Sequence, residues 1–244
     1  MSDLRKLADE LNYAEKVERS TLLIEEAIKE YGDSFVVAHS LGKDSSVLWH
    51  LAGSVDSRVR GFIVTTPYKP QETKDFMQDE LTLANWFYDP VVDSFRVDDD
   101  PRLIAFETDE EPDHLYRTDP DACCEKWKVD PVRAAIKKMK IKCWATGLRC
   151  TEGRTRTNYL EREHLDEGLE KLNPILLWHE REIWQYLALN SVPVNPLYNK
   201  GYRSLGCEPC TRISASGDER AGRWVGTSKC GGECGIHTRP LGTK

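Results

Sequence analysis

Between Gly206 and His237 the chain sets two kinds of cysteine side by side: a Cys207-Glu208-Pro209-Cys210 pair, and a lone Cys234 within Glu233-Cys234-Gly235-Ile236-His237. A Cys-x2-Cys turn offers two thiolates to one metal centre. A single thiol beside a glycine, which allows close backbone approach, and ahead of a histidine whose positive charge would lower its pKa is a candidate nucleophile. Arg220 and Arg223 stand between the two groups, and guanidinium forks suit an anionic substrate. A second pair, Cys123 and Cys124, is adjacent in sequence. Vicinal thiols are poor disulfide partners because the small ring strains the bond, yet both can ligate different irons of one cluster. Together the two pairs supply the four thiolates of a [4Fe-4S] cluster; spacing alone leaves structural zinc and unrelated buried thiols open.

The 244 residues suffice for a full core without disulfide staples, arranged as one domain with a C-terminal extension. No apolar run approaches the roughly 20 residues of a membrane span, and the polar start Met1-Ser2-Asp3-Leu4-Arg5-Lys6 lacks a signal peptide's apolar centre. A cytoplasmic location is therefore expected, where eight cysteines favour ligation or catalysis over disulfides. The net charge of −7 argues against a sequence-independent nucleic-acid binder, so an anionic ligand must be held by particular arginines and backbone amides.

Leu4 to Ile28 repeat at helical spacing, and Phe35-Val36-Val37-Ala38 is a short apolar run of the kind a buried parallel strand needs. The loop Ser40-Leu41-Gly42-Lys43-Asp44-Ser45-Ser46 follows, then an apolar helix. Strand, small-residue loop and helix in that order make an anion site from outward amides and the helix dipole, with Gly42 closing on a phosphate and Lys43 adding charge. The plainer alternative is a turn capped by Asp44 or Ser45. Arg60–Val64 reads as a strand, Phe76–Phe87 as a helix, Val91-Val92 as the start of a strand, and Asp98-Asp99-Asp100 as an N-cap cluster before a helix at Pro101. Cys143-Trp144-Ala145-Thr146 is expected to be a strand that buries Cys143 as an inert thiol. The loop after it, Gly147 to Arg156, gathers Arg149, Arg154 and Arg156 where such sheets bind ligands. Glu161–Glu170 reads as a surface excursion, Leu172–Trp178 as a return to the sheet, and Glu180–Asn190 as an amphipathic helix.

Ser40 to Ser46 resembles the pyrophosphate-binding loop of the adenine-nucleotide α-hydrolase superfamily. Cys-Cys-Glu-x-x-Lys-Val-x-Pro at Cys123, Gly-Leu-Arg at Gly147, the run from Val192 to Arg212 and Glu-Cys-Gly-x-His at Glu233 resemble the iron-sulfur branch of the adenylylsulfate and phosphoadenylylsulfate reductases. The resemblance implies an α/β fold with a doubly wound, mostly parallel sheet over residues 1–205, followed by a flexible segment, 206–244, that completes the cluster and carries the nucleophile. It implies a [4Fe-4S] cluster on Cys123, Cys124, Cys207 and Cys210, with Lys128 between cluster and substrate. It implies nucleotide held by Ser40, Gly42, Lys43, Asp44, Ser45 and Ser46, and Arg149 and Arg156 as substrate ligands, to which the residue types of Arg220 and Arg223 add two further candidates. Cys234 would take the sulfur of adenylylsulfate as an S-sulfocysteine, His237 would lower its pKa or hold substrate oxygens, and thioredoxin or glutaredoxin would release sulfite. A homo-oligomer is compatible with this reading.

The chain departs from that pattern in places. Thr65-Thr66-Pro67 replaces an Asp-Thr-Gly, Cys150 replaces a second arginine, and Cys230, four residues before Cys234, is either a resolving thiol or idle. The resemblance implies, through its paired cysteines, a preference for adenylylsulfate over its 3′-phosphorylated relative. The retained Asp44 keeps open phosphoadenylylsulfate reduction and a magnesium-dependent ATP pyrophosphatase or ATP sulfurylase chemistry. A redox- or metal-sensing protein built on the four thiols is the rival of another class.

Overall fold

The computed structural model describes residues 3–89, 94–97, 100–108, 110–153, 156, 158–165, 168–215, 217–229, 233–238 and 240–241. The chain opens with α1 (Asp3–Glu10) and α2 (Tyr13–Tyr31), the second started by a reciprocal cap in which Asn12 Oδ1 accepts from Glu15 N–H and the Glu15 carboxylate accepts from Asn12 N–H. There follow β1 (Phe35–Ala38), α3 (Lys43–Val55), β2 (Arg60–Val64), α4 (Gln71–Asn85), β3 (Trp86–Asp89), β4 (Ser94–Val97) and β5 (Leu103–Phe106). Then come α5 (Pro120–Cys124), a wide π turn (Glu125–Val129), α6 (Asp130–Met139), β6 (Cys143–Ala145), β7 (Arg162–His164), β8 (Glu170–Leu172), α7 (Glu180–Leu189) and α8 (Gly235–Thr238). None of the helices is long and apolar enough to cross a membrane, among the described residues.

Six strands form one sheet in the order β5-β2-β1-β6-β8-β7, parallel throughout except for β7, while β3 and β4 pair as a separate antiparallel ribbon. Side chains alternate across a strand. Phe35 and Val37 of β1, with Cys143 and Ala145 of β6, therefore enter the core beside Ile24, Leu48 and Ile183 of α2, α3 and α7. Val36 and Trp144 enter the opposite core, against Val132, Ala135 and Met139 of α6. Burying each such large side chain is worth about 1.5–3 kcal/mol. With helices on both faces the sheet is doubly wound, as expected. Its order reverses between β1 and β6, so the loops leaving those two strands diverge and open the crevice in which such sheets hold ligands.

Several local expectations change. The helix expected to reach Phe87 ends at Asn85, and Trp86 and Phe87 join the ribbon, where Phe87 is opposite Arg96. No helix follows Pro101: Leu103–Phe106 pairs in parallel with β2, and Asn85 accepts from Leu103 N–H while donating to its carbonyl. Glu161–Glu170 is not an excursion, since it supplies β7 and the first residue of β8; the strand ends at Leu172, and Ile175 and Trp178 are buried from the turns after it. Val91, Val92, Asp98 and Asp99 lie outside the described residues.

Candidate active site

The helix after β1 starts earlier than a capped turn at Asp44 or Ser45 would place it. Gly42 is the N-cap of α3, with Lys43 to Ser46 in its first turn, and Tyr198 accepts from Lys43 N–H through its hydroxyl at 2.8 Å. Leu41 reverses the chain at φ 66° and buries its side chain beside Ile63, Phe76 and Leu103. Above this loop lies a cavity of about 190 Å³. Ser40, Gly42, Asp44 and Ser45 line it, with the apolar Phe62, Val132 and Trp144, the cations Lys69, Lys128, Arg156, Arg220 and Arg223, and Cys234 and His237.

Lys43, Ser46 and Arg149 do not line it. Lys43 Nζ contacts the Glu219 carboxylate and the Arg203 carbonyl, and Arg149 donates to Asp44 Oδ1 at 2.5 Å and to both Glu219 oxygens at 2.6 and 2.7 Å. Asp44, Glu152 and Glu219 bring carboxylate oxygens within 4.8 Å of one another, and each is already met by a cation, Glu152 by Arg156 and Arg220. Through Glu219 this buried lattice ties the C-terminal segment to the loops after β1 and β6.

That segment is folded back on the sheet's carboxyl edge. Thr211 bridges Arg223, Glu208 N–H donates to the Tyr68 carbonyl, Trp224 is 1 % exposed, and Leu241 joins the core with Val36 and Trp144. Glu233 is gripped by Arg156 and Arg220, which brings Cys234 to the cavity. A hydrogen bond from the Cys124 thiol, assisted by Lys128, holds the Cys234 thiol well below its ordinary pKa in spite of burial. The same bond raises Cys124. His237 is a different matter, because burial and the nearby Arg156 push it down to about 3. Its imidazole is neutral near pH 7, so a full positive charge beside Cys234 comes from Lys128, whose ammonium is stabilised by Cys207, Cys234 and Cys124 against its own burial. His237 Nδ1 is a buried nitrogen with no hydrogen-bond partner.

A second cavity adjoins the first. Cys123 and Cys124 from the end of α5 and Cys207 and Cys210 from the C-terminal segment surround it, with Tyr68, Tyr116, Trp127 and Lys128. All four thiols are buried and none is in a disulfide. Burial, with Cys207 nearby, raises Cys123 to about 11 and also raises Cys210. At Cys207 burial is overcome by Lys128 and Lys69 and by the Thr66 hydroxyl at 3.4 Å, so this thiol is lowered. Burial, with Lys128 and Arg223 close by, brings Lys69 itself to about 8. Cys143 is buried as expected, enclosed in the core and pushed up to about 12 by burial and Glu170. Cys150 is also buried, under α1. Arg154 and Cys230 lie outside the described residues.

Sequence reasoning missed His39, Lys69, Trp144, Glu152 and Tyr198 as cavity residues. Glu152 lies within the Gly147 loop, Trp144 shortly before it, and His39 precedes the Ser40 loop, so position in or beside an expected ligand loop was the available signal for these three.

Residues 34–213 match the sequence profile of the phosphoadenosine phosphosulfate reductase domain. Over 232 residues the chain is 34% identical to an adenosine 5′-phosphosulfate reductase of Halalkalibacterium halodurans, covering 94% of this chain and 96% of that one. Over 211 residues it is 34% identical to the enzyme of that name from Allochromatium vinosum, covering 85% and 80%. The fold is similar to that of phosphoadenylyl-sulfate reductase from Candida auris, with a TM-score of 0.63 at 20% identity, covering 86% of this chain and 94% of that one. It is also similar to FMN adenylyltransferase from Candida glabrata, at 0.61 and 14% identity, covering 87% and 70%.

Proposed function

Since the chain belongs to the phosphoadenosine phosphosulfate reductase domain family, we propose that it is an oxidoreductase that reduces adenylylsulfate to sulfite and AMP, with Cys234 as nucleophile. The observation that carries this reading is that Lys128 lines both cavities, placing one ammonium between the four buried thiols and the Cys234 sulfur. The Cys234 thiolate attacks the sulfur of the phosphosulfate anhydride; the S–S bond forms, the S–O bond to phosphate breaks, and AMP leaves as an anion needing no proton. A thiolate of thioredoxin or glutaredoxin then attacks Cys234 Sγ and expels sulfite, and its second thiol resolves the mixed disulfide and returns Cys234.

Ser40, Gly42, Asp44 and Ser45 face the nucleotide phosphate, Phe62 and Trp144 the base, and Arg156, Arg220 and Arg223 the sulfate end. The orphaned His237 Nδ1 meets a substrate oxygen. Lys43 and Arg149 act from behind the cavity, by fixing the loops. Residues 1–205 thus carry the nucleotide, and 206–244 complete the thiol cavity and deliver the nucleophile.

Cys123, Cys124, Cys207 and Cys210 fit a [4Fe-4S] cluster: four buried thiols share one cavity whose lining includes Lys128 and no carboxylate among the described residues. Bound there, the cluster would hold Cys124 as thiolate, leaving Lys128 to stabilise the Cys234 thiolate, and would supply local order and an electrostatic field beside the reacting sulfur, the electrons coming from the thiols. A magnesium-ATP reading draws on Asp44, Glu152 and Glu219, but Lys43, Arg149 and Arg156 already compensate those carboxylates.

The test is incubation with sulfur-labelled adenylylsulfate. Label is expected on the Cys234 peptide, to be released as sulfite by reduced thioredoxin and absent in Cys234→Ser. Undiminished sulfite from Cys234→Ser removes the assignment.

A further inference from the structure

His39, the residue before the anion loop, is 1 % exposed, yet it lines the cavity and is unused by the chemistry above. Its Nε2 faces Glu80 Oε2 of α4 at 3.3 Å, and Glu80 is itself buried. Its Nδ1 lies 3.2 Å from the Leu41 amide nitrogen and 3.1 Å from Ser45 Oγ. A backbone amide can only donate, so Nδ1 must present a lone pair and the ring proton must sit on Nε2, donating to Glu80. Trp49 stacks on the imidazole at 6.3 Å and 30°.

The tautomer bears on the loop because Leu41 is held in the left-handed region, which a residue with a Cβ disfavours. The bond from Leu41 N–H to Nδ1 stabilises that turn, and Gly42 follows it as the N-cap of α3. Ser45 Oγ donates to the Gly42 carbonyl at 2.9 Å and accepts from Ser40 N–H at 3.1 Å, so both serines that line the cavity are tied to the turn that the ring stabilises.

We propose that His39, held as its Nε2–H tautomer by Glu80, is a positioning residue for the anion loop, its bare Nδ1 fixing the Leu41 amide and, through that turn, the loop serines in the arrangement that receives a nucleotide phosphate. This rests on the nucleotide reading of the cavity.

Two measurements test it. Nitrogen-15 NMR of the ligand-free protein, with the His39 signals assigned by their loss in His39→Asn, is expected to show a bare Nδ1 and a protonated Nε2. A protonated Nδ1 overturns the proposal. Calorimetric titration with AMP is the second. In His39→Asn the amide oxygen falls near the Nδ1 position, and affinity should stay within about threefold; in His39→Gln the amide lies near Nε2, and affinity should drop about tenfold, the cost of one lost hydrogen bond. Glu80→Gln, which can still accept from Nε2, should behave like His39→Asn, while Glu80→Leu should raise KM about tenfold with kcat within about threefold. A purely structural role would penalise His39→Asn and His39→Gln alike, and equal losses overturn the proposal. If the unaltered protein binds no AMP, the nucleotide reading falls instead, and the NMR result still decides the tautomer.

Discussion

Glu233 holds Arg156 through both carboxylate oxygens, Oε1 against Nε at 3.0 Å and Oε2 against Nη2 at 3.1 Å, one residue before Cys234. Arg220 adds a third contact at 3.2 Å. The carboxylate thus engages two of the arginines assigned to the substrate's sulfate end, and docking of the tail competes with the incoming anion for them. In Glu233→Gln the arginines are released and the tail is less firmly held. KM for adenylylsulfate is expected to fall about threefold while kcat falls about tenfold or more, a split read from steady-state kinetics. A raised KM with unchanged kcat would contradict the competition.

His237 gives the protein an acid-sensitive tail. It titrates at about 3 in the folded chain against an ordinary 6.5, because burial and Arg156 oppose its charge. Between those values the unfolded chain binds more protons, so stability rises with pH and is lost as pH falls below 6.5, by at most about 1.4 kcal/mol per unit. Thermal melts at pH 7 and pH 5 should differ more for the unaltered protein than for His237→Gln, whose side chain does not titrate. Equal pH slopes would rule this out.

Far from the cavity, Lys16 donates to both Glu182 oxygens at 2.9 and 2.8 Å, with side chains 1 % and 4 % exposed. Lys16→Met leaves a buried carboxylate without its cation and should cost about 3–5 kcal/mol in urea unfolding. Adding Glu182→Gln, which still accepts from His179 N–H at the start of α7, should recover at least half of that loss.

Gly147 lets the loop after β6 close on α3. A Cβ there would lie 3.0 Å from Ser45 N and 3.1 Å from the Asp44 carbonyl carbon, both backbone atoms, whereas a Cβ at Gly53 meets nothing within 4 Å. Gly147→Ala should destabilise by about 1–3 kcal/mol and weaken AMP binding, while Gly53→Ala, within α3, should stabilise by about 0.5–1 kcal/mol. Paired urea melts and AMP titrations distinguish the two.

The sheet centre was legible because β1 is a continuous apolar run, β2 ends in Phe62-Ile63-Val64, and α2 carries its own cap. The edge was not. Charges at Glu170 and Lys171 of β8 read as surface, but they are buried against Arg162 and Glu163 of the neighbouring β7. Pro101 suggested a helix start, and pairing with β2 decided for a strand. In the site, residue type revealed the thiols and the arginines of the cavity. It did not reveal which cations meet ligand and which meet carboxylate: Lys43 is taken up by Glu219, 176 positions away, a separation no local motif encodes.

The π turn at Glu125–Val129, where Asp130 N–H reaches back five residues to the Glu125 carbonyl, acts as a phase shifter between two helical stretches. Upstream it aims Cys123 and Cys124 at Cys207; downstream it aims Val132 and Ala135 into the sheet. Each residue of helix turns the chain by about 100°. Excising one residue from this turn would therefore leave the hydrophobic anchoring in place and swing the vicinal sulfurs out of line with Cys207.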